Sequence, residues 1–242
     1  FDLSFGGYVV VKINEIKDKG VLDIDDVREE ITYELLNKKK AELIINDNSN
    51  FLDLNNGLIK KHFCRKGLMY IFSDNYIYNG LKKTRPVREL TNYIDFNHLI
   101  ETSNNDWIIN KIELCFPVFA YINRNYLFYK GDIVLSKILG KTLDKYLMEN
   151  NRLNIEEQLG FCFGFLFERG IYNFDMNLKN IIFNEDTNKL SFIDFDKLWI
   201  KPSLRKSSKY SLKVINKFES SLEKNNLKSS FRWSEFINSL SQ

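Results

Sequence analysis

Asp175, Asn180 and Asp194 are the residues of this chain whose types and spacing suit a shared chemical task. They lie in IYNFDMNLKNIIFNEDTNKLSFIDFDK, residues 171–197: an aspartate, an asparagine five residues on, an apolar segment, a polar turn, a second apolar segment, then Asp-Phe-Asp. Phosphoryl transfer needs such a set. One carboxylate positions an attacking hydroxyl and takes its proton, while an amide oxygen and a second carboxylate offer the hard oxygen ligands that Mg²⁺ prefers. The two apolar segments, 181–184 and 190–194, read as strands that bring Asn180 and Asp194 to one end of a hairpin. An isolated D-x-x-x-x-N arises often by chance; followed by strand, turn, strand and D-F-D, it is far more specific. The competing reading is an ordinary hairpin with solvated carboxylates at its end. Asp194 argues against it, because it sits among Phe192, Ile193 and Phe195. A carboxylate there needs a partner, and a metal is a natural one.

Elements to position this set are visible along the chain. Residues 8–13, YVVVKI, read as a strand, and 24–43 as a helix with Ile24, Val27, Ile31 and Leu35 at helical spacing. Its acidic first turns and its Lys38–Lys40 end suit the helix dipole. The polar run NDNSN, 46–50, is the best boundary in the chain. Beyond it, 51–63 reads as two strands around an Asn-Asn-Gly turn, and 69–78 as aromatic and β-like. Thr84 and Pro86 open a helix to about residue 103. Strands follow near 117–122 and 126–134, then a helix over 154–169 stopped by Gly170. Residues 207–241 read as two helices split near Asn225-Asn226, and no internal repeats are visible. Strands first and helices later predict a two-lobed α+β domain.

Composition narrows the class. With 44% hydrophobic residues and twenty Phe, the 242-residue chain has material for a real core. A net charge of +3 is too mild to argue for nucleic acid. Cys64, Cys115 and Cys162 are odd in number and far apart, which disfavours a disulfide framework or zinc site and suits a reducing compartment. His62 and His98 alone leave little material for a histidine triad or metal cluster. No apolar run reaches the roughly 18 residues of a membrane span, and no signal peptide is visible. The start at Phe1 rather than Met reads as that of a fragment.

The central motif resembles the Kdo kinases of lipopolysaccharide inner-core synthesis, a branch of the protein-kinase-like superfamily. Their pattern is roughly Gly-Val-Tyr-His-Ala-Asp-Leu-Asn-x-x-Asn-Ile-Leu and then Ile-Asp-Phe-Asp; this chain has GIYNFDMNLKNII at 170–182 and IDFD at 193–196. Asp196, where protein kinases usually carry Gly, favours this branch. KHFCRKGL at 61–68, YIYNGLKKTRPVREL at 76–90, LFYKGDIVLSKI at 127–138 and KFESSLEK at 217–224, followed by Trp233, extend the resemblance over about residues 51–237.

The resemblance implies an ATP- and Mg²⁺-dependent sugar kinase of α+β, two-lobed protein-kinase-like fold. Asp175 would be the catalytic base, Asn180 and Asp194 the Mg²⁺ ligands, Lys61 the phosphate-contacting cation and Glu89 its helix partner. Lys60, on the opposite face of the same strand, makes the register matter. The implied acceptor is Kdo on lipid A, met as a peripheral protein at the cytoplasmic face of the inner membrane, with no nucleic acid. Lys60, Lys61, Arg65, Lys66, Lys82, Lys83, Arg85 and Arg88 would face anionic headgroups or form a solvated face. Two departures stand out. Asn173 replaces a His that is mainly structural in the superfamily. No glycine-containing phosphate loop precedes the hairpin at 51–63, since the nearest glycines are Gly57 in its turn and Gly20 far upstream.

Residues 1–45 resemble instead the C-terminal end of a parvulin-type peptidyl-prolyl isomerase and the helix that follows it in periplasmic foldases. The expected organisation is therefore a foldase-like strand-plus-helix appendage at 1–45, a linker at 46–50, and a kinase-like domain at 51–242. That domain would have a truncated small lobe to about 125 and a large lobe from about 126. Two adjacent reading frames joined by a frameshift, a sequencing error or genome decay would explain such a pairing, and transcript sequencing decides it. Three other outcomes follow: a different sugar or small-molecule acceptor, a catalytically inactive kinase-like remnant, or a foldase fragment.

Overall fold

The computed structural model describes residues 2–3, 7–11, 51–54, 56–64, 75–149 and 155–240. The helix expected at 24–43, the linker at 46–50 and most of the β-like stretch at 69–78 lie outside these residues. The described part has the two-lobed, protein-kinase-like α+β architecture.

The first lobe is an antiparallel sheet with one helix laid on it. Its strands are β1 (Asp2–Leu3), β2 (Gly7–Val11), β3 (Phe51–Asp53), β4 (Leu58–His62), β5 (Tyr76–Ile77), β6 (Pro117–Asn125) and β7 (Phe128–Ser136). Their order is β1-β2-β6-β7-β4-β3, with β5 also pairing β7. The segment read as an appendage thus contributes β1 and β2 to the edge beside β6, Gly7 pairing with Asn123 and Val11 with Phe119. The β3–β4 hairpin forms as its turn residues predict, with Gly57 at φ 75°.

Helix α1 (Arg85–Glu101) packs on β6 and β7. Thr84 precedes it in extended conformation and Pro86 stands in its first turn. Val87, Leu90, Tyr93, Phe96 and Ile100 recur every three or four residues and are all buried. A short helix, α2 (Asp106–Lys111), follows. The lobe division drawn near 125 falls at the tip of the β6–β7 hairpin. Both strands belong to the first sheet, and the chain crosses to the second lobe only after Ser136.

The second lobe is built around helix α4 (Ile155–Glu168), preceded by β8 (Lys141–Thr142) and α3 (Leu143–Met148). Next come β9 (Ile171–Asn173), the hairpin β10 (Ile181–Asn184) and β11 (Lys189–Phe192), and β12 (Leu198–Ile200), which pairs with β9. Helices α5 (Ser208–Lys224) and α6 (Trp233–Leu240) close the chain. Phe163 of α4 meets Phe218 and Phe236 at ring separations of 5.4 Å each. Gly160 and Gly164 let α6 approach closely: a Cβ on Gly160 would stand 2.3 Å from the Phe236 carbonyl oxygen. Glu156, buried in α4, holds Arg232 at 2.7 Å and ties down the start of α6. Gly170, at φ 73°, lets the chain turn out of α4.

Candidate active site

Strand β4 sends Lys60 and Lys61 to opposite faces of the sheet, because successive side chains alternate along a strand. Lys61 points inward. Its Nζ donates to Glu89 Oε1 at 2.8 Å and Oε2 at 2.7 Å, and to Asp194 Oδ1 at 2.7 Å. Lys60 turns away, its Nζ 3.6 Å from Asp132. Of the two lysines, Lys61 is the one that faces Glu89 and Asp194. Glu89 is fully buried, and burial pushes its carboxyl up to about 7 against the pull of the Lys61 ammonium. Burial also works against the Lys61 charge, but Glu89 and Asp194 outweigh it and raise its pKa.

Helix α1 grips the segment 194–198 with several side chains at once. The Asp194 N–H donates to the Tyr93 hydroxyl at 3.0 Å, and the Asn92 amide donates to the Phe195 carbonyl at 2.7 Å. Phe195 packs on Tyr93 and Phe96 with ring separations of 4.4 and 4.7 Å. Asp194 itself is left-handed, φ 61° and ψ 69°, and so does not continue the strand expected to reach it. Aspartate tolerates that region better than most residues. The tight turn throws its carboxylate toward Lys61.

Asp175 is fixed from its own loop. Its N–H donates to Asn173 Oδ1 at 3.0 Å, and Asn180 Nδ2 donates to its carbonyl at 2.9 Å. Asn173 also reaches the Asp194 carbonyl through Nδ2 at 3.4 Å. The asparagine that replaces the usual histidine therefore still links the Asp175 loop to the Asp194 turn. Asn180 and Asp194 leave the same end of the β10–β11 hairpin: Ile181 pairs with Phe192, and the Ile193 N–H donates to the Asn180 carbonyl at 2.9 Å. The Asp175 carboxylate holds Lys197 at 3.2 Å on one oxygen and Lys217 at 3.3 Å on the other.

The donor set fits a hard divalent cation in part. Asn180 spends its amide nitrogen on the Asp175 carbonyl, which leaves the amide oxygen for a metal, and Asp194 keeps a side chain 30% exposed. The partner that Asp194 needs is present in the protein itself, as Lys61. Among the described residues no cluster of three or more His, Cys, Asp or Glu is placed to hold a metal. Such a cation would thus complete its shell with other oxygens, as Mg²⁺ does with phosphates and water.

The sequence reading missed the function of Asp196. Arg85 donates to its Oδ2 from Nε at 3.1 Å and from a terminal nitrogen at 2.7 Å, while Arg88 takes Oδ1. Although burial opposes it, the two guanidiniums hold the Asp196 carboxyl below the usual carboxylate range. The signal was an Arg-x-x-Arg pair, one turn apart on a helix face, together with an aspartate where glycine is usual. This also corrects the reading of the basic cluster as one face. Lys61, Arg85 and Arg88 are committed to internal carboxylates, Lys82 and Lys83 are exposed, and Arg65 and Lys66 lie outside the described residues.

Comparison with known proteins gives the family of the chain. The family described as "Lipopolysaccharide kinase (Kdo/WaaP) family" matches residues 45–237. The match leaves out most of 1–45, and no comparison supports a parvulin-like segment there. No curated protein sequence matches the chain. Among solved structures, the bifunctional kinase-methyltransferase WbdD is similar at 11% identity and a TM-score of 0.36, covering 76% of this chain. The chain spans 40% of that protein's length.

Proposed function

Because the chain belongs to the lipopolysaccharide kinase (Kdo/WaaP) family, whose kinase-like fold carries phosphotransfer, we propose that it moves the terminal phosphoryl group of ATP to a hydroxyl of Kdo on a lipid A-linked acceptor. The observation that carries this reading is the Lys61 ammonium held between Glu89 and Asp194, with the Asp175 loop fastened to the same turn through Asn173.

In this reading Asp175 accepts the proton of the attacking hydroxyl, and the loop bonds from Asn173 and Asn180 keep its carboxylate aimed. Lys61, kept charged by its two carboxylates, presents a cation to the nucleotide phosphates. Asn180 and Asp194 would hold Mg²⁺, which supplies charge neutralisation to the phosphates when bound. The remaining residues position these groups. Helix α1 carries Glu89, Tyr93 and Asn92, so its seating governs both Lys61 and Asp194.

Work at the cytoplasmic face of the inner membrane, as a peripheral protein, belongs to the same proposal. Among the described residues, no helix is long and apolar enough to cross a membrane. A second reading, an inactive kinase-like remnant, is favoured by one observation: the sequence has no glycine between Gly20 and Gly57, ahead of the strand that carries Lys61.

Phosphate transfer from labelled ATP to purified Kdo–lipid A tests the proposal. Wild type should label the acceptor only with Mg²⁺, and Asp175→Ala should not, while still melting cooperatively. Full labelling by Asp175→Ala would remove Asp175 from its assigned role. Absence of Mg²⁺-dependent ATP binding by calorimetry would instead establish the inactive reading.

A further inference from the structure

Both oxygens of the Asp175 carboxylate are engaged by lysines that the phosphotransfer scheme does not use. Lys197 follows directly on the Asp-Phe-Asp turn, and Lys217 comes from helix α5. Their side chains are 57% and 42% exposed, so neither is a sealed structural pair. A hydroxyl that gives its proton to Asp175 takes a lone pair on one of these oxygens, beside an ammonium. That ammonium then lies within a few ångströms of the acceptor, and its remaining N–H donors can meet an anion on the acceptor.

The surroundings extend this point into a surface. Lys209, Lys213 and Lys217 recur every four residues and so share one face of α5. Lys213 sits 4.7 Å over the ring of Phe174, the residue next to Asp175. Phe174 in turn meets Trp199 edge-on at 5.0 Å. Trp199 is 42% exposed on β12, although an indole that size gains by burial. The Lys201 ammonium lies 4.3 Å over one face of the Trp199 ring, so this partly exposed indole is bordered by lysines and offers apolar contact to a sugar ring and ion pairs to its acidic substituent.

We infer that Lys217, Lys213 and Trp199 form an acceptor platform that selects an acidic sugar, its oxyanion taking the Lys217 ammonium when the hydroxyl takes Asp175. The inference deepens the proposed kinase reading and rests on it for the identity of the reacting hydroxyl. The oxyanion is a carboxylate or a phosphate ester; the shared chemistry is an anion beside the hydroxyl that reacts.

Tryptophan fluorescence of the full chain with Mg·ATP present, titrated with free Kdo, mannose 6-phosphate or mannose, tests it. The two acids divide the carboxylate source from the phosphate source, and mannose is the neutral control. At least one acid should change the signal, and the change should vanish in Trp199→Phe. Lys217→Met should weaken the response roughly tenfold, the factor for one charge-assisted hydrogen bond at a half-exposed site, while the Kd for Mg·ATP moves less than about twofold. Equal response to mannose, no response to either acid, or an equal loss of Mg·ATP affinity in Lys217→Met would overturn the platform; the last outcome would assign Lys217 to the nucleotide. Transfer assays separate this from the parent reading. Kdo–lipid A labelled by wild type with an unchanged acceptor KM in Lys217→Met sinks the platform and leaves the kinase. Lys217-dependent acid binding without any labelling of Kdo–lipid A keeps the platform and removes that acceptor.

Discussion

Arg85 and Asp196 stand 111 residues apart in sequence and are joined by two hydrogen bonds, of 3.1 and 2.7 Å, onto a single carboxylate oxygen. Their side chains are 30% and 10% exposed, so water screens the pair only in part. The link ties the first turn of α1 to the segment behind Asp194, and Arg88 doubles it.

Replacing Asp196 should therefore act on catalysis through Lys61 and Glu89. Asp196→Ala leaves Arg85 half-buried without its partner, a loss of about 1–3 kcal/mol for one charged hydrogen-bonded contact. The expected outcome is a roughly tenfold to hundredfold fall in kcat/KM for ATP, larger than the small drop in Tm explains. Arg85→Lys should lose less than Arg85→Ala. Steady-state kinetics beside thermal melts check this; equal Tm losses without a kinetic effect would make the link purely structural.

Glu89 predicts a pH dependence. Its carboxyl is raised from 4.5 to about 7 in the folded state, so between those values the folded protein holds more protons than the unfolded one. The Glu89 contribution is fully present below about pH 4.5 and is lost as pH rises through about 7. The stability of wild type relative to Glu89→Gln should accordingly fall across that window. Asp196, whose carboxyl is lowered, contributes with the opposite sign: present above about 3.8 and lost as pH falls through its folded value. Urea melts of both proteins at a series of pH values read the difference.

Asn173 should behave as a positioning residue for Asp175. Asn173→Ala strands the Asp175 N–H and frees the Asp194 carbonyl, whereas Asn173→Asp keeps an acceptor for the first and loses the donor to the second. A fall in kcat of roughly tenfold or more is expected for Asn173→Ala. A smaller fall is expected for Asn173→Asp, with the KM for ATP little changed in either. A change confined to KM would contradict the role.

The α4–α6 contact gives a stability prediction. Alanine normally favours a helix over glycine by about 1 kcal/mol. At Gly160 the added Cβ would meet the Phe236 carbonyl oxygen at 2.3 Å and the Ser239 Cβ at 2.8 Å, and backbone cannot step aside cheaply. Gly160→Ala should therefore destabilise by about 1–3 kcal/mol despite the propensity gain. At Gly164 the three nearest atoms all belong to Leu240, the nearest its carbonyl oxygen at 2.5 Å in the last described turn, and Gly164→Ala should cost less. Denaturant unfolding of the two variants compares them.

The parts of the site legible in the sequence were those with local periodicity or turn chemistry. The hairpin carrying Lys61, the helix carrying Glu89 and the loop-hairpin from Asp175 to Asp194 follow from alternation, 3.6-residue spacing and the Asn-Asn-Gly turn. Lys60 against Lys61 was open, because each side of an alternating strand reads equally well until its partners are placed. Asp194 reads in sequence as the end of a strand, but its backbone is left-handed and its N–H is bonded by Tyr93 from a distant helix, a contact that local pattern does not show. The short helices α2 and α3 and the strand β12 are stabilised by tertiary contact more than by their own pattern. The pairing of Asp196 with Arg85 had only the unusual residue itself as a clue.

The strand order of the first sheet has a consequence for how the chain assembles. Among the described strands, β3–β4 and β6–β7 are joined by tight local turns; β4 pairs with β7 through His62 and Asp132, and β2 pairs with β6 through Gly7 and Asn123. During synthesis β2 and the β3–β4 hairpin emerge well before β6 and β7, which they must join, and wait with open edges. Closing such long loops is slow relative to forming the β6–β7 hairpin. The β6–β7 hairpin, central in the strand order, is thus the piece on which β2 and the β3–β4 hairpin dock. Lys61 reaches Glu89 and Asp194 only after the chain has been made through Asp194, so this ion-pair set closes late in synthesis although Lys61 itself is made early.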